Sequence, residues 1–180
     1  ISGAGTNRQS QTFSCDTAHT LSGVKLRLYK VAGTTGVFHV GIFPTTDGKP
    51  SGDSLGTVEF EYDSLLGTSY PGTEVWVSFE GVSIEADTTY AIVLWMTGDS
   101  NSYGLYVMYE MVGAYANGAL VASDDGGSSW TITAGDFAFI EGDRRHSLSV
   151  CCWIKPASID GSNYGPLFAK ETTSSGGYTL

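Results

Sequence analysis

Hydrophobic residues fill both alternating sets of positions in the stretch T-T-Y-A-I-V-L-W-M at residues 88–96. In an extended strand, successive side chains point to opposite faces. The two sets are Ile92, Leu94 and Met96 on one face, and Ala91, Val93 and Trp95 on the other. A strand that is apolar on both faces needs cover above and below. We therefore predict that it is the central strand of a two-layer β-sandwich.

Shorter segments with strand-like alternation lie on both sides of this stretch. The predicted strands are residues 8–15, 21–31, 37–43, 58–62, 74–80, 82–84 and 103–112. Within residues 37–43, His39 alternates with Phe38 and Val40, so we expect His39 on the outer face of a sheet rather than in a catalytic cluster. The 24 Gly and the low charged content, 16%, suit short strands and tight turns. The predicted fold class is all-β, an antiparallel two-sheet, jelly-roll-like sandwich.

The connections are polar. Residues 44–56 form the longest predicted loop and contain two of the five Pro. Long loops on sandwiches often have functional roles, although a solvated connector is the alternative interpretation. Residues 33–36 are predicted to form a hairpin turn, and Asp63 is predicted to cap a short helical turn at residues 63–66.

Charge excludes some classes of partner. The formal net charge is −10, and the nine Lys and Arg residues form no cluster larger than Arg144-Arg145. Phosphate binding needs clustered cations, so nucleic acid is not an expected partner. No apolar run approaches the roughly 20 residues of a membrane span, so membrane insertion is not expected.

The three cysteines do not form a disulfide framework. Cys151 and Cys152 are neighbours on a predicted strand and face opposite sides, which disfavours a bridge between them. Without a C-x-x-C motif or paired histidines, we expect buried thiols rather than a metal site.

Aromatic residues are the candidates for carbohydrate binding, because rings stack on sugar faces. The candidates are Trp76, Tyr106 and Tyr115. By alternation, Tyr106 lies on the face opposite Leu105 and Val107. A place in the core is the alternative for each ring.

The sharpest local motif is S-D-D-G-G-S-S-W at residues 123–130, which resembles the Asp box of sialidases and of many non-enzymatic β proteins. The residues that match it are Ser123, Asp125, Gly127 and Trp130. In those families the box is a structural hairpin away from the chemistry. The Asp carboxylate accepts hydrogen bonds from turn amides, and Gly adopts a φ that a side chain disfavours. A calcium site at Asp124 and Asp125 is the alternative.

The predicted first domain is residues 1–141, and from about Gln9 to Glu141 it resembles a family of jelly-roll-like β-sandwich modules found in secreted, cell-surface and phage virion proteins. The resemblance lies in the order of the segments Q-T-F, L-S-G-V-K-L-R-L, G-V-F-H-V-G-I, W-V-S-F and T-T-Y-A-I-V-L, followed by the Asp-box hairpin. It implies a non-catalytic module that binds carbohydrate or acts as a spacer.

Residues 147–180 have a different signature, which follows a linker at residues 142–146. The elements W-I-K-P, F-A-K and G-G-Y resemble the opening strands of a laminin-G-like, concanavalin A-like lectin domain. These strands alone would leave unpaired edges. We therefore expect that the polypeptide continues past Leu180 or that another chain completes the sheet.

Enzymatic chemistry is not predicted. The histidines at 19, 39 and 146 lie in unrelated segments, and no G-x-S-x-G, H-E-x-x-H or phosphate-binding loop is present. Glu59 and Glu61 share a strand face and could form an acid–base pair, but alternating carboxylates are more typical of a solvated face.

The sequence therefore favours a non-catalytic structural or attachment module of a larger surface assembly, such as a phage decoration, tail or fibre protein. Its expected partners are other subunits of that assembly, at a virion surface or outside the cell. The alternative is a carbohydrate-binding module of a secreted adhesin or glycan-active enzyme, with glycans as partners. Apart from the possible calcium ion, no cofactor is expected.

Overall fold

The computed structural model describes residues 6–31, 36–61, 68, 70–98, 104–110, 115–142, 169–170 and 178–179. Every regular element in these ranges is a β-strand, and they contain no helix that could span a membrane. The strands are β1 (Arg8–Ser14), β2 (His19–Lys30), β3 (Val37–Thr46), β4 (Lys49–Pro50), β5 (Gly56–Glu61), β6 (Thr73–Ile84), β7 (Thr89–Thr97), β8 (Leu105–Val107), β9 (Tyr109–Glu110), β10 (Leu120–Ser123), β11 (Thr131–Thr133), β12 (Asp136–Phe137), β13 (Phe139–Gly142), β14 (Ala169–Lys170) and β15 (Tyr178–Thr179).

Two antiparallel sheets build the first of two compact units, Ile1–Ser147. The larger sheet is seven-stranded, with the order β11-β10-β1-β7-β3-β4 and with β5 also paired to β3. The smaller sheet is four-stranded, with the order β13-β2-β6 and with β8 also paired to β2. A short ladder joins β9 to β12. The predicted all-β, antiparallel, two-sheet sandwich is confirmed.

Strand β7 lies in the middle of the larger sheet, between β1 and β3, as its pattern predicts. Ile92, Leu94 and Met96 are fully buried and belong to the core between the sheets. Ala91 and Val93, on the opposite face, are also fully buried. The smaller sheet contributes inward-facing residues from β2 and β6 to the same core, among them Leu26, Leu28 and Val77.

A buried polar connection ties β1 to β12. The Gln11 side chain is completely buried. Its Nε2 donates to Asp136 Oδ1 at 3.0 Å, and its Oε1 accepts from the Phe137 amide at 2.8 Å. Asp136 Oδ2 also accepts from the Tyr115 amide at 3.4 Å. Because both ends of the Gln11 amide are hydrogen-bonded, its desolvation is compensated.

Two predicted boundaries are wrong. The predicted loop at residues 44–56 is partly a hairpin, because β3 continues to Thr46 and pairs with β4. The turn uses left-handed residues, Asp47 at φ 51° and Gly48 at φ 70°, which match the twist of a tight hairpin. The predicted strands at residues 74–80 and 82–84 are one strand, β6, which passes through Gly81 at φ 96°. The predicted turn at residues 63–66 and most of the one at 33–36 lie outside the described residues.

The second compact unit is Leu148–Leu180. Its described residues form one antiparallel pair, β14 with β15, in which Ala169 faces Thr179 and Lys170 faces Tyr178. Cys151, Cys152 and the W-I-K-P segment lie outside the described residues, so the lectin-like resemblance of this unit stays a prediction.

Candidate functional site

The outer face of the smaller sheet carries an open group of aromatic and charged side chains. Leu26 and Leu28 point into the core, so the alternate residues of β2 point outward. Their cross-strand partners on β6, β8 and β13 point the same way. We call this surface the aromatic face, and its residues are Lys25, Arg27, Tyr29, Glu74, Trp76, Tyr106 and Ile140.

Two of the predicted sugar-binding rings lie on the aromatic face. Tyr106 stacks on Tyr29 with ring centroids 4.8 Å apart and an interplanar angle of 9°, and it remains 41% exposed. The Trp76 indole lies against Gly23 of β2, where an added Cβ would be 2.5 Å from its Nε1. Trp76 pairs with Lys25 of β2, and Tyr106 pairs with Tyr29, four residues further along β2. Because β6 and β8 lie on opposite sides of β2, strand geometry places the two rings about 16 Å apart.

The charges of the aromatic face form one ion-paired group. Lys25 Nζ lies 3.2 Å from one oxygen of Glu74, and Arg27 Nη2 lies 2.7 Å from the other. The hydrogen bonds from Arg27 and Lys25 lower the pKa of Glu74. Two cations against one carboxylate give the group a local positive charge on a chain whose net charge is −10. Beside it, Ile140 lines a shallow cavity of about 240 Å³.

The outer face of the larger sheet is covered around Trp95. His39 of β3 stacks on Trp95 of β7 at 4.9 Å and 3°, and Arg8 of β1 lies over the same ring at 5.2 Å. Since β1 and β3 flank β7 on opposite sides, both faces of the indole are occupied. Phe43 adds an edge contact to Trp95. His39 thus lies on an outer sheet face, as predicted, next to the exposed Glu59; the Glu61 side chain lies outside the described set.

Tyr115, the third predicted sugar-binding ring, is not on the aromatic face. It lies at one end of the sandwich, where its hydroxyl donates to the Ser14 carbonyl at 3.0 Å. Its ring packs edge-on against Phe139 at 5.2 Å. Burial is the main cause that raises the pKa of the Tyr115 hydroxyl. The half-buried ring is therefore held at both its edge and its hydroxyl, and carbohydrate binding at Tyr115 stays a prediction.

Three side chains that the sequence analysis did not connect meet beside Tyr115. Cys15 Sγ donates to Glu141 Oε1 at 3.3 Å, and His19 Nε2 lies 3.0 Å from Glu141 Oε2. We call Cys15, His19 and Glu141 the Cys15 cluster. Their three ligand atoms lie within 4.8 Å of one another, and among the described residues they form the one such group of three metal-ligating side chains.

The Cys15 cluster is partly buried and internally hydrogen-bonded. The side chains of His19 and Glu141 are 27% and 24% exposed. The other ring nitrogen of His19, Nδ1, contacts the Thr17 carbonyl at 3.1 Å. Both ring nitrogens of His19 therefore lie against oxygen atoms. Burial, together with the hydrogen bond to Glu141, raises the pKa of the Cys15 thiol to about 12, the opposite of what an activated nucleophile needs.

One local signal in the sequence could have indicated the Cys15 cluster. Cys15 and His19 form a C-x₃-H pair, and a gap of three residues lies within the ranges that separate Cys–Cys and His–His ligand pairs in zinc sites. Glu141 could not be found this way, because it is 126 positions from Cys15 and reaches it only through the pairing of β13 with β2. The cluster lines a cavity of about 400 Å³ that Asp16, Asn117 and Tyr115 also border.

The Asp-box residues form the hairpin that joins β10 to β11. Ser123 Oγ donates to Asp125 Oδ1 at 2.8 Å and accepts from the Gly127 amide at 2.9 Å. The Ser129 amide and hydroxyl donate to the two oxygens of Asp125 at 2.8 and 2.6 Å. These bonds lower the pKa of Asp125 to about 2, those from Ser129 contributing most. Gly127, at φ 92°, packs on the Arg8 guanidinium.

The Asp125 carboxylate is already engaged by its own hairpin, while Asp124 is exposed. Trp130 lines a cavity of about 90 Å³ on the outer face of the larger sheet, together with Phe43 and Val93. Calcium binding at Asp124 and Asp125 stays a prediction, since the contacts described at Asp125 are those of a structural turn.

Comparisons with known proteins find no match: no family model, no curated protein and no solved structure is similar to this chain.

Proposed function

We propose that this chain is a non-catalytic attachment module of a larger surface assembly, such as a phage virion decoration, tail or fibre protein, at a virion surface or outside the cell. The observation that supports this proposal is the difference between the two outer sheet faces. Around Trp95 of the larger sheet the rings are packed against one another, and the exposed Ile132 of that sheet lies on its edge strand β11, three strands from β7. The aromatic face, by contrast, leaves both Tyr106 and Ile140 exposed, at 41% and 54%.

The chemistry of the aromatic face favours another protein subunit as its partner. Aromatic rings and Arg are enriched where proteins bind one another. The local positive charge at Lys25 and Arg27 would attract an acidic surface, and on a chain whose net charge is −10 it distinguishes this face from the rest of the molecule. Ion pairs as exposed as these add little stability, so recognition is the better account of their role.

Three side chains that could take part in catalysis are in environments that do not activate them, which supports a non-catalytic role. The Cys15 thiol is held protonated. His39 is stacked on Trp95, and burial, the largest cause, lowers its pKa. Glu59 is exposed, as a solvated carboxylate would be.

A matched pair of isoleucines tests the proposal. Ile140 on β13 and Ile132 on β11 are 54% and 60% exposed, and each lies on the last strand of its sheet. In the natural full-length protein, Ile140→Asp should reduce incorporation into purified surface particles at least tenfold, measured by quantitative mass spectrometry, while Ile132→Asp should incorporate normally. Equal incorporation of both variants would refute the aromatic face as the attachment surface.

Carbohydrate binding is the second candidate function, and the placement of Trp76 and Tyr106 on one face favours it. Both rings rest on their own sheet, Trp76 on Gly23 and Tyr106 on Tyr29. Aromatic side chains present large apolar ring faces, and the faces of sugar rings offer apolar surface that can stack on them.

A glycan panel separates this candidate from the first. Binding that Trp76→Ala and Tyr106→Ala abolish, and that Tyr106→Phe retains, would support a stacking site. A panel without binding, or binding that survives both alanine variants, would reject it and leave the subunit contact as the function of the face.

A further inference from the structure

We propose that Cys15, His19 and Glu141 form a binding site for one Zn²⁺ ion at the end of the sandwich. The site is distinct from the aromatic face, and it does not depend on the proposed attachment function. Cys15 directly follows β1, His19 is the first residue of β2, and Glu141 lies within β13.

The distances suit a small tetrahedral ion. With the usual zinc bond lengths of ~2.0–2.3 Å to sulfur, nitrogen and oxygen, the ligand atoms of a tetrahedral site lie about 3.3–3.6 Å apart. In the Cys15 cluster Sγ lies 3.3 Å from Glu141 Oε1, His19 Nε2 lies 3.0 Å from Glu141 Oε2, and the three ligand atoms lie within 4.8 Å of one another. Small side-chain rotations would therefore place an ion among the three atoms.

The ligand types select zinc over the hard cations. A thiolate and an imidazole are poor ligands for Ca²⁺ or Mg²⁺, which take oxygen atoms, whereas Zn²⁺ binds sulfur, nitrogen and carboxylate oxygen together. The contact of His19 Nδ1 with the Thr17 carbonyl, at 3.1 Å, is the kind of outer hydrogen bond that orients a metal-bound imidazole. The fourth position would face the cavity of about 400 Å³ that the cluster lines, which is open to water.

Hydrogen bonds join the three side chains in the metal-free protein. The Cys15 thiol donates to Glu141 Oε1, and His19 Nε2 lies 3.0 Å from Glu141 Oε2. Zinc binding would release the thiol proton to the solvent and would require Nε2 to be free of a proton, since only a thiolate and a free imidazole nitrogen bind metal. The ion would then cross-link β13 to the segment that connects β1 and β2. Because the ion binds the folded chain, zinc should also raise the midpoint of thermal unfolding.

The test uses the full chain after reduction and removal of metal. Zinc chloride is titrated into it in a calorimeter, and native mass spectrometry counts the bound ions. We expect one ion per chain. Cys15→Ser, His19→Gln and Glu141→Gln should each weaken binding more than ~100-fold, because the loss of a ligand exceeds the 10–100-fold effect of losing an outer hydrogen bond. A Cys151→Ser, Cys152→Ser double variant and a His39→Gln variant should bind as the natural chain does.

A second measurement guards against variants that fail to fold. In the natural sequence, Co²⁺ in place of zinc should give a thiolate-to-metal charge-transfer band that Cys15→Ser removes, while the circular dichroism spectrum of that variant stays native. The proposal is overturned if the natural chain binds no zinc, if all three cluster variants bind zinc with unchanged affinity, or if only the Cys151→Ser, Cys152→Ser variant loses the ion.

Discussion

Cys15 Sγ and Glu141 Oε1 lie 3.3 Å apart, although 126 positions separate them in the chain. Glu141 faces Val24 in the β13–β2 register, and Val24 is a core residue. The carboxylate thus points from the smaller sheet toward the interior of the sandwich. It lies at the end of the sandwich where β1 of the larger sheet ends. His19 lies against the second carboxylate oxygen. Together these contacts close the end of the sandwich and join its two sheets.

Removing the Glu141 charge should destabilise this end. In the presence of a chelator, Glu141→Gln should lower the free energy of unfolding by about 1–2 kcal/mol, because His19 loses its charged acceptor in a partly buried site. Glu80→Gln, at an exposed position of β6, should leave it within about 0.5 kcal/mol. Urea unfolding at neutral pH measures both. A loss for Glu141→Gln no larger than that for Glu80→Gln would show that the contact contributes nothing.

The Asp-box hairpin should be sensitive to acid. The pKa of Asp125 in the folded chain is about 2, below the value near 3.9 of an unfolded aspartate. Its contribution to stability is therefore complete above about pH 4 and is lost as the pH falls toward 2. In urea unfolding between pH 2 and 5, Asp125→Asn should flatten the pH dependence relative to the natural chain, while Asp124→Asn should not. Parallel profiles for all three would contradict the hydrogen bonding described here.

The core-facing side of β7 should tolerate truncation poorly, in contrast with the exposed edge of its sheet. Leu94→Ala removes a fully buried core side chain and should cost about 2–5 kcal/mol. Ile132→Ala, at a position that is 60% exposed, should cost less than about 0.5 kcal/mol. Equal losses in chemical denaturation would mean that β7 is not central.

Gly23 should be required for the position of Trp76. A Cβ at Gly23 would lie 2.5 Å from Trp76 Nε1 and 2.6 Å from the Val77 carbonyl oxygen, so both the indole and the pairing of β2 with β6 must shift. Gly23→Ala should cost about 1–3 kcal/mol and shift the tryptophan fluorescence. Gly142 is its cross-strand partner and has open space at the same place. Gly142→Ala should therefore leave both the fluorescence and the stability nearly unchanged, and a similar response to the two substitutions would refute the packing.

The sequence was sufficient for features that depend on local pattern. The two apolar faces of β7 predicted its central place, and the alternation around His39 and Tyr106 predicted which side each occupies. The hairpin at Asp47-Gly48 was missed because the flanking Pro44 and Pro50 suggested an irregular loop, although both fit at the paired ends of β3 and β4.

Features that depend on long-range pairing could not be predicted. Gln11 is a polar residue of a type usually found on the exposed face of a strand. Its burial is explained only by its hydrogen bonds to Asp136 and Phe137, which lie 125 and 126 positions away. The Cys15 cluster could not be predicted for the same reason: Cys15 and His19 are close in sequence, but Glu141 is not. The aromatic face likewise required the register of β2 with β6 and β8 before Trp76 and Tyr106 could be placed on one surface.

The most direct test of the proposed attachment function is site-specific photo-crosslinking in the natural assembly. A photoreactive phenylalanine analogue replaces Tyr106 on the aromatic face or, as the control, Ile132 on the larger sheet, which is the more exposed of the two. The account predicts that the analogue at position 106 crosslinks to another subunit of the assembly and that the analogue at position 132 does not. Crosslinks to a subunit from position 132 alone, or from neither position, would contradict it.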